Sequence, residues 1–411
     1  MVESSLAADV AAIPSRSDFG TADPLSRFYS KPPVADGFAA LFATDMAKNV
    51  LDLGCGEGSL TLPVTQRWGS SAFVTVDKDP AIELSLRRRL RPAGRVRHQH
   101  HCLDAFSLDL PQRLGRKFDV LLSNPPYQRV ERTSAIERIF ADAGLTGLMA
   151  LPPEICTAEL VFLAQMLRVA KSGAELGMIV PDGLMTSFKN ASVRRALLQR
   201  VAISKVVSLE PGSFLRTSAQ AYALMMRNEP GGTGYVNLHT LDEDGLSQPL
   251  QISPQEAARR LDHAYYALRP TQMERSITLR ELRAEIVRGY RTSVEIRKKG
   301  GFHTTSFPKA DEPREIHLDE AGAGKKTDAR AGDILLARVG RSSHEKIGLV
   351  ERGSSPLSDC VYAIRIPQAW RRVVLTSLLS PGGQRALRRI SCGVGPRVIR
   401  KADLLDLPLP I

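Results

Sequence analysis

The first half of the chain alternates short apolar runs with longer segments in which apolar positions recur at helical spacing. Three of the runs, at residues 50–53, 72–76 and 118–123, are short and rich in Val, Leu and Phe. Strands that alternate with helices are typical of a parallel sheet covered by helices on both faces. We therefore predict an α/β fold with a doubly wound, mostly parallel sheet over residues 25–228.

The pattern changes in the second half, which implies a second domain in a chain of 411 residues. Short β-like runs at 333–339, 347–350 and 361–366 are separated by turns that contain Gly, Ser or Pro. A Gly-rich stretch near residue 231 marks the boundary. We predict a flexible arm (1–24), the α/β domain (25–228), a connecting region with a helix near 254–267 (229–276), and a mixed, β-rich domain (277–411).

A glycine-rich turn follows the first apolar run. Gly54, Gly56 and Gly58 come directly after the strand that holds Asp52. Glycines at the start of a helix let backbone N–H groups approach a ligand closely. Asp77, at the end of the next strand, lies at the distance where an acidic residue binds ribose hydroxyls. These residues alone would equally suit a nicotinamide dehydrogenase.

Asn-Pro-Pro-Tyr, at residues 124–127, is the most informative motif, and it follows the third run. The prolines fix φ and stiffen the turn, while the Asn124 side chain offers an acceptor oxygen. Tyr127 offers an aromatic face for stacking. A further acidic residue, Asp104, follows another expected strand and is suited either to bind an adenine amino group or to cap a helix.

The ordered set of motifs resembles the gamma-class (Taq-type) S-adenosylmethionine-dependent adenine-N6 DNA methyltransferases of restriction–modification systems. The resemblance covers about residues 25–228 and implies a Rossmann-like methyltransferase sheet with S-adenosylmethionine as cofactor. It implies that the cofactor is bound by Tyr29, Pro32, Asp52, Gly54, Gly56, Gly58, Asp77, Lys78, Asp104, Ala105 and Asn124. The family often has Thr-Pro where this chain has Lys31-Pro32, so that part of the match is looser.

The resemblance also implies the catalytic residues Asn124, Pro125 and Tyr127. Acceptors at Asn124 and the Pro125 carbonyl would hold both amino hydrogens of adenine and aim the nitrogen lone pair at the methyl group. The base must leave the duplex to reach them. Tyr127 and Phe214 would stack on it and Phe162 would wall the pocket, although Phe162 is equally suited to core packing on a helix.

The C-terminal domain resembles the target-recognition domains of type I restriction specificity subunits. The net charge is +12, and no acidic residue occurs between Asp359 and Asp403, so this region is suited to bind phosphates. The alternative for its arginines is an ordinary solvated helix face. Candidate DNA-binding residues are Arg338, Arg341, Arg397 and Arg400. We expect double-stranded DNA as a partner, a separately encoded restriction endonuclease as a further one, and a monomer to suffice.

Three other functions stay open: methylation of adenine N6 in RNA, methylation of a protein glutamine, and a non-catalytic DNA-binding subunit. Five unpaired cysteines and the lack of a secretion signal favour a prokaryotic cytoplasm. His98, His100 and His101 lack the spacing of zinc ligands, so we expect no metal.

Overall fold

The computed structural model describes residues 32–90, 97–209, 220–231, 234–242, 245–267, 276–309, 312–319, 324–340, 342–391 and 397–410. Its largest element is a sheet of ten strands. In chain order they are β1 (Asn49–Leu53), β2 (Ala72–Asp77), β3 (Arg97–Cys102), β4 (Phe118–Ser123), β5 (Ala170–Pro181), β6 (Ala202–Leu209), β7 (Ala221–Arg227), β8 (Val236–Asp242), β9 (Gly245–Leu246) and β10 (Leu250–Ile252).

The strand order confirms the predicted doubly wound, mostly parallel sheet. Strands β3, β2, β1, β4 and β5 lie side by side in parallel. Strand β7 then inserts antiparallel between β5 and β6, and β8 continues parallel to β6. The short strands β9 and β10 pair antiparallel with β8.

Helices cover both faces of this sheet because side chains alternate along each strand. Leu51 and Leu53 pack in the larger core cluster on one face of the sheet. Val50, which precedes them, packs in the cluster on the opposite face. In chain order the helices are α1 (Pro32–Ala40), α2 (Thr61–Arg67), α3 (Ile82–Leu90), α4 (Leu110–Leu114), α5 (Ser134–Asp142), α6 (Thr146–Met149), α7 (Ala158–Val169), α8 (Asp182–Thr186), α9 (Ala191–Arg200), α10 (Pro254–Arg259) and α11 (His263–Tyr266).

The C-terminal part forms a separate mixed sheet, with the order β12-β18-β15-β16-β13. Its pairings are antiparallel except β13 with β16. The elements are β11 (Ser276–Ile277), β12 (Glu285–Arg288), α12 (Ser293–Lys299), β13 (Glu315–His317), β14 (Ala329–Arg330), β15 (Ile334–Ala337), β16 (Ile347–Arg352), β17 (Ser354–Ser355), β18 (Val361–Arg365), α13 (Gln368–Leu379), α14 (Pro381–Ile390), α15 (Lys401–Leu405) and β19 (Leu409–Pro410).

The large sheet continues past residue 228, where we predicted that a connecting region begins. Strands β8 to β10 add to its edge beyond β6, and α10 packs on α9. The predicted helix near 254–267 is present as two short helices, α10 and α11, with Arg260 and Leu261 extended between them. Within the described residues, no helix combines the length and apolar character needed to cross a bilayer.

Buried charges join the two parts of the chain. Arg260 pairs with Asp262 beside it and with Asp403 of α15, where the nitrogen and oxygen are 3.1 Å apart. Arg400 donates to the carbonyl oxygen of Thr186, at the end of α8, at 2.8 Å. Because these contacts cross from the C-terminal part to the large sheet, they fix the two sheets relative to each other.

Arg194 on α9 is fully buried and gathers four backbone carbonyl groups. It donates to Leu184 and Ser187, which flank the end of α8, and to Ala258 and Arg259 of α10. A charged donor that satisfies several buried acceptors is costly to remove, since each carbonyl then lacks a partner.

We expect Arg194→Met to lower the free energy of unfolding by about 3 kcal/mol, because the guanidinium is lost and its carbonyl partners stay buried. Arg195→Met, on the exposed side of the same helix, should change it by less than about 0.5 kcal/mol. Urea unfolding followed by circular dichroism measures both. Equal losses of unfolding free energy in the two variants would show that the hydrogen bonds of Arg194 do not stabilise the fold.

Candidate active site

A cleft of about 890 Å³, including its open mouth, lies at the carboxyl edge of the large sheet. Strands β1, β2 and β4 all end there, and ligands bind at this edge in open parallel sheets. The cleft is lined by Asp52, Gly54, Cys55, Gly56, Ser59, Leu60, Val76, Asp77, Lys78, Leu103, Asp104, Ala105, Phe106, Asn124, Pro126, Gln128 and Phe162. The fold thus brings together most of the residues that sequence analysis selected for the cofactor.

The glycine-rich turn forms one wall of the cleft. Gly54 has a φ of +75°, which side chains disfavour, and its N–H donates to the Val76 carbonyl oxygen at 2.8 Å. A Cβ on Gly54 would lie 2.7 Å from the ring of Phe162. Gly58 does not line the cleft, because it packs against Leu86 of α3. At Gly54, by contrast, the positive φ and the nearby Phe162 ring leave room only for glycine.

The two predicted ligand carboxylates both reach the cleft. Asp77 accepts from the N–H of Gly56 at 2.9 Å and from the N–H of Asp79 at 3.0 Å, so its carboxylate is oriented by backbone. Asp104 accepts from the N–H of Phe106 at 2.8 Å. Each carboxylate oxygen has further lone pairs, so both groups can still accept from a ligand.

Asp52 is a buried carboxyl group at the base of the cleft. It is 2% exposed and accepts a hydrogen bond from the Thr61 hydroxyl at 2.6 Å. Burial, and secondarily the nearby Asp77 carboxylate, raise the pKa of Asp52 to about 7. A positively charged ligand in the cleft would favour its ionised form.

The Asn-Pro-Pro-Tyr turn continues directly from β4. Ser123 anchors its start by donating to the carbonyl oxygen of Leu53 at 2.7 Å. Asn124 and Pro126 line the cleft, Pro125 is buried, and the hydroxyl of Tyr127 donates to the Asn124 side-chain oxygen at 3.0 Å. The sequence motif therefore lies at the end of the cleft, as expected for a turn that presents a polar side chain to a ligand.

The first turn of α7 supports this motif from below. The carbonyl oxygen of Gln128 accepts from the N–H of Ala158 at 2.9 Å, and Val130 donates to Cys156 at 3.2 Å. The same helix turn carries Glu159, whose side chain is 6% exposed. Glu159 was not among the predicted site residues. The sequence feature that could have indicated it is a lone acidic residue in an otherwise apolar helix face, three residues before Phe162.

The ring of Phe162 lies on the floor of the cleft. It contacts the Gly54 turn and packs edge-to-face on Phe106, with 6.0 Å between ring centroids. Its predicted contact with a target base stays a prediction. Pro32 begins α1, whereas Tyr29 and Phe214 lie outside the described residues.

The candidate DNA-binding arginines have structural contacts. Arg338 donates to the Asp359 carbonyl oxygen at 2.9 Å, and Arg400 binds Thr186 as described above. Backbone pairing of Gly340 with Arg397 brings Arg338 and Arg397 to adjacent segments. Arg341 lies outside the described residues. In the part of the chain that the structure describes, no group of three or more metal-ligating side chains is present.

Two protein families match the chain. The methyltransferase small domain matches residues 30–146, and the family described as N-6 DNA Methylase matches residues 95–249. A tRNA1(Val) (adenine(37)-N6)-methyltransferase of Actinobacillus succinogenes is 32% identical over 198 residues, which are 48% of this chain and 76% of that relative. The chain belongs to the adenine-N6 methyltransferase family. Its cofactor is S-adenosylmethionine.

Other matches are partial. A second tRNA1(Val) (adenine(37)-N6)-methyltransferase, of a Flavobacteriaceae bacterium, is 34% identical over 91 residues, which are 21% of this methyltransferase and 37% of the relative. The solved type IIG restriction endonuclease BpuSI aligns with 92% of this chain and 57% of its own, with a TM-score of 0.51 and 12% identity. A type I methyltransferase subunit from Streptococcus thermophilus aligns with 55% of this chain and 51% of its own, at a TM-score of 0.46 and 20% identity.

The cleft fits the cofactor that the family uses. S-adenosylmethionine is a cationic adenosine derivative, and the cleft presents carboxyl groups, aromatic rings and a backbone turn without side chains. The likeness to the type IIG enzyme shows a shared fold over most of the chain.

We expect Gly54→Ala to weaken cofactor binding by about tenfold or more, since a side chain at positive φ is strained and would meet Phe162. Gly183→Ala is the matched control, because a Cβ there meets nothing within 4 Å. Isothermal titration with S-adenosylmethionine gives both affinities. Unchanged affinity in Gly54→Ala would contradict the role of this turn.

Cofactor affinity should also depend on pH through Asp52. The bound cation favours the ionised carboxylate, so affinity should rise with pH up to about 7, the pKa of Asp52 in the free protein, and then level off. Asp52→Asn should bind more weakly above pH 7 and lose this dependence. The measurement is a set of binding titrations between about pH 5.5 and 8.5, which extends roughly 1.5 pH units on each side of the pKa of Asp52. A rise of affinity of the same size in Asp52→Asn would exclude this carboxyl as the source of the pH dependence.

Proposed function

We propose that this methyltransferase is a site-specific DNA enzyme that methylates the exocyclic N6 of an adenine flipped out of the duplex. One observation carries the proposal: the C-terminal part is bound beside the edge that holds the catalytic turn. Arg400 binds the carbonyl oxygen of Thr186 at the end of α8, the helix that directly follows β5. Strand β5 is the neighbour of β4, whose end leads into Asn124. Nucleic acid on the C-terminal part would therefore lie next to the cleft.

The cofactor would be held by backbone groups, carboxylates and an aromatic ring. The backbone around Gly54 and Gly56 is suited to the methionine part, Asp77 to the ribose hydroxyls and Asp104 to the adenine amino group. Phe162 supplies an apolar floor. When bound, S-adenosylmethionine supplies an electrophilic methyl group on its sulfonium.

Asn124 and the Pro125 carbonyl would accept the two amino hydrogens of the target adenine. This orients the nitrogen lone pair and stabilises the positive charge that develops on nitrogen. Tyr127, with Phe214, would stack on the extruded base. A strong general base is unnecessary, because the nitrogen becomes acidic only after it has accepted the methyl group.

The C-terminal part would choose the sequence. Arg338 and Arg397, on paired segments, and Arg341 and Arg400 are the proposed DNA contacts. Helix α14 presents three exposed arginines opposite its buried apolar side, which suits phosphate contacts. The fold likeness to a type IIG restriction endonuclease over 92% of the chain, at 12% identity, is in keeping with a DNA acceptor. We further propose a gamma-class enzyme with a specificity-like domain and a separately encoded nuclease partner.

RNA is the second candidate acceptor. The relatives named as tRNA adenine-N6 methyltransferases match at most 198 residues of this chain. A match that covers 48% of the chain leaves at least one large part without a counterpart in that relative. That extra part favours DNA over tRNA.

The decisive assay uses unmethylated plasmid DNA and unmodified tRNA in parallel with S-adenosylmethionine. We expect N6-methyladenine at one short DNA motif, mapped by single-molecule sequencing. Asn124→Ala should lower kcat by about 100-fold or more, because one of the two acceptors is lost. Titration of this variant with S-adenosylmethionine separates loss of the acceptor from loss of the cofactor contact that Asn124 is also predicted to make.

Asn49→Ala is the control, because Asn49 begins β1 at the opposite edge of the same sheet. It should keep wild-type activity. Methylation of tRNA with unmodified DNA would replace the DNA proposal by the RNA alternative. Full activity of Asn124→Ala on either acceptor would overturn the catalytic assignment.

A further inference from the structure

Glu159 is a buried acid with an unmet hydrogen bond. Its side chain is 6% exposed, and it interacts with Thr157 at the start of α7. Its Oε2 atom is buried and has no hydrogen-bond partner in the described structure. Burial raises the pKa of Glu159 to about 7. An unsatisfied buried acceptor destabilises a fold, so such a group calls for an explanation in function.

Glu159 lies against the catalytic turn. Backbone pairing joins residues 128–130, which follow the turn, to residues 156–158, which precede Glu159. Burial first, and then the charge of Glu159, raise the pKa of the Tyr127 phenol well above its ordinary value. The Glu159 carboxyl therefore lies close enough to Tyr127 for its charge to act on the phenol.

The Tyr127 hydroxyl binds the atom that the target base needs. It donates to Asn124 Oδ1 at 3.0 Å, and this oxygen is the proposed acceptor for an amino hydrogen of adenine. An amide oxygen has two lone pairs, but the phenol already directs one donor at it. An arriving amino group competes with the phenol for this oxygen, while Glu159 Oε2 offers the phenol another acceptor.

We propose that Tyr127 transfers its hydroxyl hydrogen bond from Asn124 to Glu159 when the target amino group binds. The proposal rests on the function proposed above. Glu159 is then a positioning residue: it acts through Tyr127 and does not touch the base. The Oε2 atom of Glu159 is unsatisfied in the free enzyme and accepts the Tyr127 hydroxyl in the complex. Glu159 therefore stabilises the complex and not the free enzyme. The exchange also frees Asn124 without leaving a buried hydroxyl unpaired.

A double-mutant cycle tests the exchange, since it isolates the interaction between two side chains. With Tyr127 present, Glu159→Leu should lower kcat/KM by about tenfold, the effect of losing one buried hydrogen bond, and Glu159→Gln by less, because Gln keeps an acceptor oxygen. Combined with Tyr127→Phe, which keeps the ring and removes the hydroxyl, neither change at Glu159 should cause a further loss. Glu154→Leu, at an exposed site nearby, is the control and should match wild type.

Two further readouts separate this role from simple support of the fold. Glu159→Gln should melt at the wild-type temperature and bind S-adenosylmethionine with unchanged affinity, because it keeps the shape of the side chain and an acceptor for Thr157. Equal losses of kcat/KM with and without the Tyr127 hydroxyl would overturn the exchange. So would a fall in melting temperature that accompanies the fall in activity for both Glu159 variants.

Failure of the exchange is distinguishable from failure of the proposed function. DNA specificity is determined with the wild-type enzyme alone, from the acceptor that it modifies. The cycle compares variants on that same acceptor, and adenine presents the same amino group in DNA and RNA. A wild type that modifies tRNA would overturn the DNA proposal, while the coupling between Tyr127 and Glu159 would still decide the exchange.

Discussion

The contact between the Gly54 backbone and the Phe162 ring is the constraint on which the active site depends. At Gly54 the chain leaves β1 with positive φ and is bound to the end of β2 through Val76. Phe162 belongs to α7, whose first turn is paired with the segment that follows the Asn-Pro-Pro-Tyr turn. One helix therefore positions both the floor of the cleft and the Asn-Pro-Pro-Tyr turn beside it. A shift of α7 would move the two together, which preserves the distance between cofactor and acceptor.

A second constraint fixes the C-terminal part to this frame. Arg194, Arg260 and Arg400 all lie near the junction of α8, α10 and α15. Arg194 and Arg400 both donate to carbonyl groups of α8, and Arg260 donates to Asp403 of α15. Such buried charges are poor sources of net stability but costly to break, so they specify one arrangement of the parts. If the proposed DNA acceptor is correct, a rigid joint has a direct use, because the sequence contacted by one part would determine which base reaches the cleft in the other.

Local patterns predicted most of the sheet and the cofactor cleft. Asp77 and Asn124 each follow an apolar run and Asp52 lies near the end of one, and parallel strands bring such positions to one edge. What the sequence did not predict depends on contacts between distant segments. Glu159 gains its interest from pairing across about thirty residues, which no periodicity reveals. Strand β8 joins the sheet by pairing with β6, and β9 and β10 pair with β8. Arg400, a predicted DNA contact, has the carbonyl oxygen of Thr186 in α8 as a partner.

The charges of the cleft and of the whole chain have opposite signs, and this suits two different ligands. The chain carries a net charge of +12, which attracts a polyanion, while Asp52, Asp77 and Asp104 make the cleft acidic and favour a cation. Asp52 sharpens this choice, because a nearby positive charge shifts a carboxyl with a pKa of about 7 toward its ionised form. Glu159 has a pKa in the same range, but its charge acts on Tyr127 and it is not among the residues that line the cleft. The two buried acids thus respond to different events: Asp52 to the charge in the cofactor cleft, and Glu159 to the hydroxyl displaced by the acceptor.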